Sequence, residues 1–229
     1  MSSQNTWEYL LEKAFKQLDA SGLSSDSWTL GGGTVLMFYF AHRLSKDIDI
    51  FFPDKQLLGM VSPRVNSGVE DSLSDYIEQD RFCKLLFEEG KIDFIYSRPV
   101  TTHAPQSRML LDRTVRCEDP VEIAAKKVFW RNDRFTPRDI FDLAVVYNSG
   151  PTRLIEALLE YPEQTSALAE HVKLGIASGD YDQWAISASI LPAGQHFVQE
   201  APQSVIRLLE AVRRQCHRGS GEKKRVSND

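Results

Sequence analysis

The stretch that decides the fold is Trp28-Thr29-Leu30-Gly31-Gly32-Gly33-Thr34-Val35-Leu36, followed after a polar turn by Asp47-Ile48-Asp49-Ile50-Phe51-Phe52. Trp28-Thr29-Leu30 reads as a short strand, Gly31 to Gly33 as a turn, and Thr34 to His42 as an apolar helix opened by Thr34. Ile48, Ile50 and Phe52 then alternate with Asp47, Asp49 and Phe51, the period of a strand entered from Arg43-Leu44-Ser45-Lys46. Side chains two apart on a strand share a face, so Asp47 and Asp49 project together.

Working outward, Trp7, Leu10, Leu11, Ala14, Phe15 and Leu18 recur at helical spacing, an amphipathic helix that ends near Ser21-Gly22 and covers a sheet. The segment from Pro53 to Asp80 has a weaker signal, a helix or two around a Pro63-to-Gly68 loop. Arg81 to Phe87 and Lys91 to Tyr96, parted by Glu88-Glu89-Gly90, form a β-hairpin with Asp93 on its second strand. Short strands at Met109 to Leu111 and Thr114 to Cys117 extend the sheet. Asp119-Pro120 then opens a helix to about Arg131, and Pro137 opens another through Val146.

From there to Cys216 the chain is largely helical, broken near Gly179 and Pro192, and Arg218 to Asp229 lacks the apolar residues needed to pack. The fold class expected is α+β: a mixed sheet flanked by helices over residues 1–118, a helical domain over 119–217, and a disordered basic tail over 218–229.

Bulk properties narrow the function. A chain of 229 residues with 42% hydrophobic and 26% charged content buries an ordinary core. A net charge of -5 and a pI near 5.6 exclude coating of nucleic acid by bulk electrostatics, so any nucleic acid must be met by a local basic groove. Cys83, Cys117 and Cys216 are odd in number and far apart, which suggests neither disulfides nor structural zinc and fits a cytoplasmic protein. No signal peptide or membrane helix is visible at the N-terminus, and no membrane partner is expected. Nucleophile-elbow and Walker-type motifs are absent.

The candidate chemistry lies around the glycine turn. Hard divalent cations prefer carboxylate oxygens held close together, and Asp47 and Asp49 can grip one ion or a pair, with Asp93 as a third ligand. Gly32 and Gly33 let the backbone approach a phosphate, and Thr34 adds a hydroxyl and free amides at a helix start. An Asp-x-Asp pair alone is weak, since Asp180-Tyr181-Asp182 repeats it in a polar stretch that reads as a solvated loop. The bland alternative for Asp47 and Asp49 is a pair of edge-strand carboxylates neutralised by Arg43 and Lys46.

Two further stretches complete a resemblance. Gly32-Gly33-Thr34-Val35-Leu36, then His42-Arg43-x-Ser45-x-Asp47-x-Asp49-Ile50-Phe51-Phe52, then Glu122-Ile123-Ala124-Ala125-Lys126-Lys127 and Arg138-Asp139-Ile140-Phe141-Asp142-Leu143-Ala144 are together similar to the nucleotidyltransferase domain of the AbiEii/AbiGii toxin family, related to the MenT toxins. The resemblance covers Leu30 to Ala144. It implies a polymerase-β-like nucleotidyltransferase fold, nucleoside triphosphate (NTP) as substrate, and magnesium or manganese as cofactor. It further implies transfer of a nucleotide to an RNA acceptor, in several members the tRNA 3′ end, and a cognate antitoxin partner in a type IV-like toxin-antitoxin system.

Carried onto this sequence, the resemblance makes Asp47 and Asp49 metal ligands, sets Gly32 and Ser45 beside the phosphates, and puts Arg43, Arg138 and Asp142 in its motifs. It also brings a lysine, 126 or 127, to the triphosphate. Periodicity favours Lys127, one turn beyond Ile123, whereas Lys126 follows Glu122 at the spacing of a surface ion pair.

Arg138 and Asp142 have the spacing of an ion pair that braces one helix. Arg131, Arg134 and Arg138 with Lys126 and Lys127 form a basic cluster interleaved with Trp130 and Phe135, which suits either an RNA groove or an ordinary charged helix surface. Two competing readings stand beside RNA transfer: the same chemistry on a protein or small-molecule acceptor, and a non-catalytic binding module.

Overall fold

The structure, a computed structural model, describes residues 6–131, 134–181 and 189–226. It divides into two compact units, one formed by residues 1–39 and 44–119, the other by residues 40–43 and 120–229.

The first unit is a seven-stranded mixed sheet in the order β3-β4-β5-β2-β1-β7-β6. The strands are β1 (Thr29–Gly31), β2 (Ile48–Phe52), β3 (Asp75–Gln79), β4 (Phe82–Leu86), β5 (Lys91–Tyr96), β6 (Gln106–Leu110) and β7 (Arg113–Cys117). Helix α1 (Thr6–Ala20) packs on β2 and β5 through Leu10, Leu11, Ala14, Phe15 and Leu18, the stripe that its periodicity gives. Burial on β2 follows its alternation, with Ile48, Ile50 and Phe52 in the core and Asp49 and Phe51 on the other face.

Two hairpins flank the centre. The β4-β5 hairpin closes through Phe87 N–H to Gly90 O at 2.9 Å. The β6-β7 hairpin turns on Leu111 and Asp112, both at positive φ, the backbone that a two-residue turn between twisted strands needs.

Segments of the first unit differ from the sequence reading. Helix α2 is Gly32–Phe40, so it starts inside the glycine run rather than at Thr34, and Gly32 holds the left-handed φ of +68° at that start. The segment from Pro53 to Asp80 holds no α-helix but two 3-10 turns, Lys55–Val61 and Glu70–Ser72, and the edge strand β3, whose exposed polar residues left no alternation to read.

The second unit is helical: α3 (Pro120–Arg131), α4 (Pro137–Ser149), α5 (Pro151–Leu158), α6 (Pro162–Ser178) and α7 (Ala201–Val226). Each of α3 to α6 starts on a proline, where the missing N–H costs nothing. Helix α4 adds a capping box between Thr136 and Asp139, and α6 ends on Gly179 at φ +77°. The long α7 packs on α4 and α6 around Phe141, Leu168, Val172, Val205 and Leu208. It continues to Val226, into the stretch expected to be a tail. Among the described residues no helix is long and apolar enough to cross a membrane.

Candidate active site

The central strands place the acids. In β2, Asp49 is in register with Gly31 of antiparallel β1 and with Asp93 of parallel β5, and Asp93 is in register with Lys84 of β4. One rung of the sheet therefore carries glycine, two carboxylates and an ammonium side by side. A glycine next to Asp49 is required by space. A β-carbon at Gly31 would lie 2.6 Å from the Phe51 ring and 2.6 Å from Glu118 Oε2, and one at Gly32 would lie 1.8 Å from Asp49 Oδ2.

Asp47, just before β2, is held from two sides. Its carbonyl accepts a hydrogen bond from Thr34 Oγ1 at 2.6 Å, and its Oδ1 accepts one from the Lys91 backbone N–H at 3.3 Å. Thr34 is fully buried on α2, so the hydroxyl expected to face a phosphate instead ties the glycine-turn helix to the start of β2. Ser45 is half-buried nearby, its backbone N–H directed to Met37 Sδ at 3.4 Å.

Lys91 supplies the main counter-charge, and sequence reasoning missed it. Its ammonium lies 2.7 Å from Asp93 Oδ2 and 3.8 Å from Asp47 Oδ2, while Lys84 Nζ lies 3.4 Å from Asp93 Oδ1. Burial works against the Lys91 charge, but its hydrogen bond to Asp93 and the fields of Asp93, Asp47 and Asp49 outweigh this and raise its pKa above the usual lysine value. The signal was available: Lys91 precedes Asp93 by two on a strand and so shares its face. The bland alternative for the acids had named the wrong cations, because Arg43 pairs with Asp142 and Lys46 is exposed.

Among the described residues no three metal-binding groups already converge into a cage. The donor chemistry nonetheless suits a hard cation. The acids offer only carboxylate oxygen, and a positive charge already sits between Asp93 and Asp47.

In the second unit the motif residues form a buried ion network. Asp142, with no exposure, accepts hydrogen bonds from Arg43 Nε at 2.6 Å and Arg43 Nη2 at 2.7 Å, and pairs with His42 Nε2 at 2.9 Å and Lys127 Nζ at 3.0 Å. Lys127 also donates to Asp139 Oδ1 at 2.6 Å. Burial alone would raise the Asp142 pKa, but the charges of Arg43 and Lys127 and the bonds from His42 and Arg43 hold it well below the usual carboxylate value. The same opposition, burial against Asp142 and Asp139, leaves the Lys127 pKa raised.

This network revises several residue readings. Arg43 holds Asp142 through both Nε and Nη2. Asp142 is satisfied from Arg43, ninety-nine positions away, while Arg138 is exposed. Lys126 does pair with Glu122, at 3.4 Å, but both are buried, so this is no surface ion pair.

The basic cluster separates accordingly. Arg131, Arg134 and Arg138 are exposed beside Trp130, which is 40% exposed, while Phe135 joins the core, Lys126 is buried and the Lys127 side chain keeps 11% exposure. Asp180 N–H bonds to Gly175 O in the close of α6, and Asp182 lies outside the described residues.

Comparison with known proteins agrees with this architecture. The sequence pattern of the family described as "Nucleotidyl transferase AbiEii toxin, Type IV TA system" matches residues 17–204. No curated protein matches the chain.

Among solved structures, a nucleotidyltransferase from H. pylori described as putative is similar at 16% identity and a TM-score of 0.50, over 94% of this chain and 96% of its own. The antibiotic-resistance factor ANT(2'')-Ia is similar at 18% identity and a TM-score of 0.50, over 75% of this chain and 98% of its own. At such identities the likeness shows a nucleotidyltransferase fold.

Proposed function

Because the chain belongs to the AbiEii nucleotidyltransferase toxin family of type IV toxin-antitoxin systems, we propose that it moves a nucleoside monophosphate from a nucleoside triphosphate onto the 3′ end of tRNA. The observation that carries this reading is the rung in which Asp49 and Asp93 stand side by side with the glycine turn against Asp49. Backbone amides of the Gly32-Gly33 turn and the Ser45 hydroxyl are assigned to the phosphates, since glycine lets the backbone approach closely.

Asp47, Asp49 and Asp93 are the residues that would hold magnesium or manganese. When bound, the cation neutralises the triphosphate and lowers the barrier to attack at the α-phosphorus. The acceptor hydroxyl oxygen forms a bond to that phosphorus while the bond to the β-phosphate oxygen breaks, and pyrophosphate leaves. Asp93 is the carboxylate assigned to receive the hydroxyl proton.

In the helical unit, Asp139 and Asp142 fix the ammonium of Lys127, and His42 and Arg43 hold Asp142 in place. Lys126 is spoken for by Glu122. The exposed Arg131, Arg134 and Arg138 with Trp130 offer cations and a ring to an RNA backbone and its bases. The family also points to an antitoxin as protein partner.

The test is incubation of the purified protein with total tRNA, each labelled triphosphate in turn, and magnesium or manganese. Labelled tRNA that disappears with Asp49→Asn supports the proposal. A labelled protein band or small product without labelled RNA moves the acceptor elsewhere, and no labelled product from any triphosphate overturns the proposal.

A further inference from the structure

We propose that Lys91 is a resident counter-cation of the carboxylate site, which a divalent metal must displace in order to bind. The inference rests on the assignment of Asp47, Asp49 and Asp93 as metal ligands and adds to it a residue that sets their affinity.

Both ends of Lys91 engage these acids. Its backbone N–H is bonded to Asp47 Oδ1 at 3.3 Å, and its ammonium reaches Asp93 Oδ2 at 2.7 Å with Asp47 Oδ2 at 3.8 Å. The backbone bond fixes where the side chain starts, so the ammonium returns to the same acids whenever nothing else holds them.

Lys84, across the rung, approaches Asp93 less closely, at 3.4 Å. Three carboxylates and two ammonium groups leave the cluster with one formal negative charge. A dication would reverse that sign unless an ammonium withdraws, since like charges a few ångströms apart repel strongly wherever water is partly excluded.

Lys91 has the more open route outward of the two, since the Lys84 side chain is 27% exposed. The Lys91 side chain is 35% exposed, so the ammonium has a path to solvent, and its four-carbon stem moves the charge without moving β5. The resulting exchange has two arrangements. Without metal, Lys91 neutralises Asp93 and Asp47; with metal, these oxygens turn to the ion and Lys91 faces outward.

The experiment is Mn2+ titration of the full chain without nucleotide, followed by the paramagnetic resonance signal of free Mn2+, for the unmodified protein, Lys91→Met, Lys91→Arg and Asp49→Asn. Lys91→Met keeps the apolar stem and is expected to bind Mn2+ about tenfold more tightly or better, while Lys91→Arg gains nothing. Binding to Lys91→Met that is equal to or weaker than that of the unmodified protein overturns the inference.

A second measurement needs no variant. Acylation of the Lys91 amine, read by peptide mass spectrometry, should rise severalfold when Mn2+ is added, and an unchanged rate overturns the inference equally. If the unmodified protein binds no Mn2+, or Asp49→Asn binds it as well, the metal assignment fails with it. If Asp49→Asn alone loses binding while Lys91→Met is unchanged, only the role of Lys91 fails.

Discussion

Gly32 and Asp49 occupy one another's space: a single β-carbon on Gly32 would lie 1.8 Å from Asp49 Oδ2, inside any permitted contact. The glycine turn and the central carboxylate are thus a matched pair. Gly32→Ala must displace Asp49 and also strain a backbone held at φ +68°. We expect a stability loss of about 1–3 kcal/mol and a fall in nucleotidyl transfer of about 100-fold or more, read by thermal unfolding and a labelled-triphosphate assay. Near-normal transfer by Gly32→Ala would separate the turn from the site.

Asp49→Asn keeps the shape and removes the charge. Its expected signature is the reverse of a folding defect: transfer falls by about 100- to 1,000-fold, while the melting temperature stays within a few degrees of the parent. Loss of folded protein on calorimetry would instead make Asp49 a structural acid.

Thr34→Val tests the tie between α2 and Asp47. It removes the 2.6 Å hydrogen bond to the Asp47 carbonyl at almost constant volume, so a cost of about 1–3 kcal/mol is expected, with Thr34→Ser near the parent. If the hydroxyl served a phosphate directly, stability would be untouched and the affinity for triphosphate alone would drop.

Asp142→Ala leaves Arg43 and Lys127 buried without their shared carboxylate, and the expected loss is about 3–5 kcal/mol. The network also sets a pH window. The folded-state pKa of Asp142 is lowered, so its contribution is present above the unfolded value of about 3.9 and is lost as pH falls through the folded value. The folded-state pKa of Lys127 is raised, so its contribution is complete below the unfolded value of about 10.4 and is lost as pH rises through the folded value. Denaturant unfolding should be flat with respect to this network between those limits in the parent. Asp142→Asn should flatten the acid limb.

Replacing Arg131, Arg134 and Arg138 with alanine should weaken tRNA binding and lower its salt slope by up to about 2 to 3, without altering the affinity for triphosphate. A filter-binding series at several salt concentrations decides it; an unchanged slope would return these arginines to an ordinary solvated surface.

What could be read from sequence follows the range of the interactions. The alternation of Ile48, Ile50 and Phe52, the hairpin around Gly90 and the proline starts of α3 and α4 are local signals, and each gave its element. Strand β3 lies at an edge with four of its five residues exposed, so it carries no alternation and went unread.

The site divides in the same way. Its acids were marked by spacing, but the partners of Asp142 were not, because Arg43 lies ninety-nine positions away and the nearer Arg138 had the better helical spacing. Lys126 showed the surface periodicity of an ion pair and is buried, since α3 hides nearly all of its sides.

The four residues 40–43, the end of α2 and the start of its link to β2, belong to the helical unit. His42 and Arg43 there balance the carboxylate of Asp142, and their backbone is pinned by Leu191 N–H to His42 O at 3.1 Å and by the bridge from Arg43 to Ile190. The helical unit is therefore discontinuous in the gene. A fragment begun at Pro120 would keep Lys127 beside the buried Asp142 but lose His42 and Arg43, so trimming or recombination at that junction removes most of the groups that balance this acid.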